Sequence, residues 1–382
     1  MMNNLPEKFE SFSEARRNSF VTVKNLKDGG KNVVGVFCAF TPVEVIMASG
    51  AVPISLCGFS EEPIPDAEQH LPRNLCPLIK SSYGFAVSDK CPFFYFSDLI
   101  VGETTCDGKK KMYELLGEIK NTHIMQLPQT CSTEDSFNLW KNELIKLKAV
   151  LEEKFHVEIT EEALSGAIKL KNRERIALRN FYELGKLVPP AISGYELHKI
   201  LSGSGYKWDK EELIQALENI TNDYMDKYNS QESKKLTKRK RILVTGCPLG
   251  EATEKIILSI ENNGGTVVCY ENCGGAKSIS TLVNEEKAPM DAIAEKYLNI
   301  ACSCMSPNTN RIELLEQLCE EYKVDGIIDV ILQACHTYNI ESYSLKKHFA
   351  ELKIPYMRVE TDYSQADKGQ LDTRIDAFIG IL

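Results

Sequence analysis

Three cysteines, Cys76, Cys91 and Cys106, follow one another at fifteen-residue intervals within NLCPLIKSSYGFAVSDKCPFFYFSDLIVGETTCDGKKK, residues 74–111. Thiolates bind soft metals and act as nucleophiles. The intervals are too wide for a local zinc knuckle, whose cysteines come two to four residues apart. Cys76, Cys91 and Cys247 each precede proline. Cys-Pro pairs occur at iron–sulfur ligands, where the proline turns the chain away and adds no N–H. Farther along, ENCGGAKS places two glycines after Cys273, through which backbone amides are expected to approach an anionic sulfur. ACSCMSPN offers Cys302 and Cys304 as a C-x-C pair, and Cys335 adjoins His336.

The chain has 382 residues, 43% hydrophobic and 26% charged, with a net charge of −9. That length accommodates two or three domains. An acidic chain without a basic face argues against nucleic-acid binding. No apolar run approaches the roughly 20 residues of a membrane span. The polar start MMNNLPEKFESFSEARR lacks the apolar core of a signal peptide, so a cytoplasmic protein is expected. Thiols stay reduced there, and the 13 cysteines, an odd number, do not read as disulfides.

The elements that must position these thiols are strands and helices in alternation. Apolar runs of strand length occur at NVVGVF (32–37), VPISL (52–56), FFYFSDLIV (93–101), HIMQL (123–127), RILVTG (241–246), TVVCY (266–270), GIIDVIL (326–332) and IPYMRVE (354–360). Such runs, separated by helical patterns, indicate buried parallel strands and an α/β fold. GVFCAFTPVEVIMASGAVPISLCG and LVTGCPLGEATEKIILSIENNGGTVVCYENCG both read strand, cysteine, helix, glycine, strand, cysteine. This weak internal repeat implies two Rossmann-like lobes. Residues about 137–228 read as helical, broken at Pro189 and Pro190, with Asp209 and Glu212 as a capping box. The organisation expected is an N-terminal α/β lobe (1–136), a helical segment and linker (137–240) and a C-terminal α/β lobe (241–382). The polar, basic run at 229–241 reads as solvated linker.

In open parallel sheets, ligands bind beyond the carboxyl ends of the strands. Cys38, Cys57, Cys106, Cys131, Cys247, Cys273 and Cys335 fall at or shortly after such ends. Cys319, on a helical face with Ile312 and Leu315, and Cys269, inside a strand, read as core, and Cys131 has no supporting motif. The aromatic run Phe93–Phe96 would either shield a cluster from water or form a buried strand. Lys109, Lys110 and Lys111 read as a solvated helix start. His336 reads as packing or a cluster-side hydrogen bond rather than as a base. Zinc is disfavoured because the C-x-C has no matching pair. The short spacing of ferredoxins is absent too, so spacing alone fits iron–sulfur only in part. No P-loop is present: TGCPLGEATEK lacks the lysine at the required place.

The 74–111 segment, together with FCAFTPVEVIMASGAVPISLC, ENCGGAKS, ACSCMSPN, DVILQACHTYNIES and ETDYS, resembles the double-cubane branch of the 2-hydroxyacyl-CoA dehydratase and benzoyl-CoA reductase superfamily over nearly the whole chain. The resemblance implies two α/β lobes. It also implies one [4Fe–4S] cubane held by Cys76, Cys106 and Cys335. Cys91, Cys273 and one of Cys302 and Cys304 would then hold a second, sulfide-bridged to the first. The activity it implies is a low-potential reductase. A separate iron–sulfur ATPase activator would drive single electrons into the cluster, so that ATP acts only through that partner. A small substrate and a homodimer are implied as well. Two other readings stay open. One is a 2-hydroxyacyl-CoA dehydratase subunit with a single [4Fe–4S] cluster and a different partner subunit; the other is a non-enzymatic electron carrier or oxygen sensor.

Overall fold

A computed structural model describes residues 14–230, 239–250 and 252–382, with side chains from Ser19 onward. Most of the basic run expected to be linker lies outside the described residues. The chain forms two compact units. One runs to Lys169 and takes in Val283–Leu298; the other comprises Leu170–Leu282 and Asn299–Leu382.

The first unit holds α1 (Glu14–Asp28), β1 (Val33–Val36), α2 (Val43–Ala48), β2 (Val52–Ser55), α3 (Ile64–Ala67), α4 (Pro77–Val87), α5 (Pro92–Phe96), β3 (Leu99–Glu103), α6 (Asp107–Ile119), β4 (Thr122–Met125) and α7 (Glu134–Phe155). Its four strands are all parallel, in the order β2-β1-β3-β4. Central β1 and β3 are buried along their whole length. That is what a sheet covered on both faces requires, and it is why these strands read as unbroken apolar runs. Edge strand β2 is partly exposed and tolerates Pro53, whose missing N–H breaks no ladder there. In α7, Trp140, Leu144, Leu147 and Leu151 form one buried stripe at helical spacing. Thr133 caps the helix by accepting from Ser136 N at 3.2 Å, and His156 ends it in the left-handed region at φ 55°.

The chain passes to the second unit within α8 (Glu161–Tyr182) and continues through α9 (Gly194–Ser204), α10 (Lys210–Asn229), β5 (Lys240–Gly246), α11 (Ala252–Asn262), β6 (Gly265–Tyr270) and α12 (Ala276–Ile279). It returns to the first unit as α13 (Pro289–Leu298), where Asp291 pairs with Lys141 of α7. The remainder is α14 (Thr309–Glu321), β7 (Gly326–Leu332), α15 (His336–Glu351), β8 (Tyr356–Thr361) and α16 (Lys368–Gly380). The second sheet, β6-β5-β7-β8, is again parallel and repeats the connectivity of the first. The internal repeat in the sequence is therefore a repeat of fold. β5 ends at Gly246 (φ +123°), where an added Cβ would lie 1.9 Å from the Val330 carbonyl, so only glycine lets β5 approach β7 there. Among the described residues, no helix is long and apolar enough to cross a membrane.

Three local expectations are corrected. FFYFSDLIV is not one strand: Pro92–Phe96 is helix and β3 starts at Leu99. Pro92 sits in the first helical turn, where its missing N–H costs nothing and its φ suits the helix. Asp209 does cap α10, accepting from Glu212 N at 3.0 Å. The reciprocal box, though, is Ser193 with Glu196 at α9. Lys109 is not solvated but buried.

Candidate functional site

Both sheets reverse their strand order at the same place, between β1 and β3 and between β5 and β7. The carboxyl ends of those strands are where open α/β sheets bind ligands. In the first sheet Cys38 follows β1 and Cys106 follows β3; in the second Cys247 follows β5 and Cys335 follows β7. The repeat thus brings thiols to corresponding positions in both units.

The Cys-Pro pairs at 76 and 91 have a structural cause. Cys76 is the N-cap of α4 and Cys91 the N-cap of α5, each with its proline in the first turn. Cys106 and Cys335 are N-caps as well, of α6 and α15. Cys76, Cys106 and Cys335 therefore stand at the positive ends of helices of 11, 13 and 16 residues, which favour the thiolate. The Cys91 sulfur accepts from Phe94 N at 3.4 Å. Cys76 is buried, whereas Cys91, Cys106 and Cys335 are half-buried.

In the second unit, Cys302, Cys304 and Cys273 gather around a buried polar network. The Cys302 sulfur lies 3.7 Å from Tyr338 Oη. A hydrogen bond from the Cys304 side chain, with the Lys277 charge and Tyr338 adding to it, holds the Cys302 thiol down to about 5 against the effect of burial. Lys277 Nζ donates to Tyr338 Oη at 2.6 Å and pairs with Glu271 at 3.1 Å. Arg311, fully buried, pairs with Glu271 at 3.4 Å and Asp329 at 3.7 Å, and also with Glu341. Its guanidinium lies over the Tyr338 ring, 4.7 Å from the centroid. The glycines after Cys273 do not offer their amides to sulfur. Gly274 N donates to Asn272 Oδ1 (3.1 Å) and Gly275 N to Asn272 O (2.9 Å). Gly275 is needed instead for close approach, since a Cβ there would meet the Tyr270 carbonyl at 2.2 Å.

In the first unit, Lys109 Nζ donates to the Phe37 carbonyl at 3.1 Å, and Cys57 Sγ donates to the same oxygen at 3.2 Å. Glu103, at the end of β3, is fully buried and accepts from the Thr41 hydroxyl. Burial pushes its carboxyl up to about 7, against the Thr41 hydrogen bond and the Lys109 charge. Cys247 is tied into the second sheet: its sulfur accepts from Leu332 N at 3.0 Å. Cys269 and Cys319 are buried as core residues. His336 is exposed at the first position of α15.

Thiolates are the donors iron–sulfur clusters require, and the helix caps and buried cations favour their charged form, so the donor chemistry fits. Cys302 and Cys304 are brought into hydrogen-bond contact. Among the described residues, no three His, Cys, Asp or Glu side chains form a group able to hold a metal ion.

Against models of protein families, residues 38–382 match 2-hydroxyglutaryl-CoA dehydratase, D-component. The chain is 54% identical over 383 residues, 100% of both sequences, to a candidate dehydratase subunit, YjiM, of Escherichia coli strain K12. It is 25% identical over 382 residues, 99% of each chain, to the (R)-phenyllactyl-CoA dehydratase beta subunit of Clostridium sporogenes. It is 22% identical over 339 residues, 86% of this chain and 85% of the relative, to a benzoyl-CoA reductase subunit of Thauera aromatica.

Proposed function

Since the chain belongs to the 2-hydroxyglutaryl-CoA dehydratase D-component family, we propose that it is the cluster-bearing protein of an ATP-dependent, low-potential reductase carrying two bridged cubanes. Cys76, Cys106 and Cys335 would hold one cubane; Cys91, Cys273 and one of Cys302 and Cys304 would hold the other. The observation carrying this reading is the setting of the surplus thiols. Cys91 is a helix cap like Cys76 and Cys106, and Cys302 has its own buried cation and tyrosine. A bound iron–sulfur cluster supplies one-electron transfer at low potential. The chain's own part is to present thiolates, to exclude water with the buried central strands, and to place hydrogen-bond donors beside sulfur. With no P-loop in the sequence, ATP hydrolysis is assigned to a separate iron–sulfur activator. A cytoplasmic homodimer acting on a small substrate completes the proposal.

The names of its relatives favour a dehydratase subunit, and the second reading is a 2-hydroxyacyl-CoA dehydratase subunit that would hold a single [4Fe–4S] cluster. Iron and sulfide analysis of anaerobically purified protein separates the two. About eight irons per chain, the content of two cubanes, supports the first reading, and about four supports the second. A single zinc overturns both.

A further inference from the structure

Tyr338 lies buried in the first turn of α15, the helix that Cys335 caps. Its hydroxyl meets two groups among the described residues: Lys277 Nζ at 2.6 Å and the Cys302 sulfur at 3.7 Å. An ammonium donates hydrogen bonds and accepts none. Lys277 is buried and pairs with the buried Glu271 carboxylate at 3.1 Å, the opposite charge that a buried ammonium requires. Tyr338 Oη therefore accepts from Lys277, and the hydroxyl's own proton is left for the Cys302 sulfur. The Arg311 guanidinium, 4.7 Å from the ring centroid, packs against Tyr338 and holds the ring in place. The Cys304 side chain also hydrogen-bonds to Cys302, so donors reach that sulfur from two directions.

From this geometry we infer that Tyr338 donates its hydroxyl proton to Cys302, and that Cys302 rather than Cys304 is the cluster ligand of the ACSCMSPN loop. The inference rests on the cluster reading above and deepens it. A sulfur that ligates iron carries negative charge, and donors aimed at it stabilise that charge. Tyr338 is then a positioning residue. It ties the loop that carries Cys302 to the helix whose cap is Cys335. Cys304 acts on its neighbour's sulfur instead of on the metal. In the sequence the two cysteines of the pair look alike; Tyr338, 36 residues beyond Cys302, is what tells them apart.

The test uses full-length protein purified anaerobically, as wild type, Cys302→Ala, Cys304→Ala and Tyr338→Phe. Iron is counted per chain, and each protein is titrated with reductant and followed by paramagnetic resonance. Cys302→Ala is expected to fall from about eight irons to about four, while Cys304→Ala keeps about eight. Hydrogen bonds to cluster sulfurs help set the potential, and a donor favours the more negative, reduced state. Tyr338→Phe, which removes only the hydroxyl, is therefore expected to keep its iron and to move one midpoint to more negative potential. The expected change is about tenfold in the one-electron equilibrium constant, about 59 mV. Full iron in Cys302→Ala, or an equal loss in Cys304→Ala, overturns the choice of ligand. Unmoved midpoints in iron-loaded Tyr338→Phe overturn the donor role. If Tyr338→Phe does not load iron, the two alanine variants decide the inference by themselves. A wild type with about four irons or fewer overturns the two-cubane reading and this inference with it, whereas the other failures, in a wild type with about eight, overturn the inference alone.

Discussion

Each unit buries a lysine near thiols at the carboxyl edge of its sheet, but the two neutralise it differently. Lys277 of the second unit faces Glu271, and behind it Arg311 is matched by Glu271, Asp329 and Glu341. Lys109 of the first unit donates to a carbonyl and has Tyr113, thiols and the buried Glu103 carboxyl for company, with no ion pair among the described residues. In the second unit, sulfur sits against a network whose charges largely cancel. In the first, Lys109 acts on the buried Glu103 carboxyl, and burial pushes the Cys57 thiol up, whereas Cys302 of the second unit is held down. Two copies of one fold thus offer their thiols two electrostatic settings.

The comparison breaks most visibly if the network of the second unit is not charge-coupled. Arg311→Met leaves Glu271 and Asp329 buried without their guanidinium partner. Breaking a buried pair by removing one member costs about 3–5 kcal/mol. A loss of that order is expected in urea unfolding of the apo-protein, and a loss under about 1 kcal/mol would show that the network does not act as a unit.

A smaller effect sharpens the account of the first unit. Glu103, buried near Lys109, Tyr113, Cys57 and Thr41, holds its proton to about 7 in the folded state against an ordinary 4.5. Between those values the folded protein keeps a proton that the unfolded chain releases. Stability from this group is therefore full below about 4.5 and is lost as pH rises through about 7, on the order of 3 kcal/mol in all. Glu103→Gln is expected to flatten that decline of the urea midpoint between pH 4.5 and 7. An unchanged pH profile would place the decline elsewhere.

Much of the fold was legible because buried parallel strands write themselves as apolar runs. β1, β5, β6 and β7 lie within a residue of where the sequence puts them. β3 was misread because an aromatic run has no period of its own, and only Pro92 marks the helix start that divides it. At the site, the thiols were visible as residues, and Asp329 inside the apolar GIIDVIL was a sign of a buried partner that sequence reasoning passed over. Lys109, Glu271 and Arg311 were not legible, because what distinguishes a buried lysine from a solvated one is the packing around it. The amides after Cys273 were misjudged for a similar reason: Asn272, just before them in the chain, takes both.

The central claim, that thiols beyond the three of a single cubane hold a second one, is tested most directly by iron content in Cys91→Ala beside Cys319→Ala. Cys91 caps a short helix and receives the Phe94 amide; Cys319 is core on α14. Both proteins are purified anaerobically and analysed for iron, with unfolding measured in parallel. Cys91→Ala is expected to fall from about eight irons per chain to about four, while Cys319→Ala keeps full iron and loses only about 1–2 kcal/mol of stability. Full iron and the native resonance spectrum in Cys91→Ala would contradict the account.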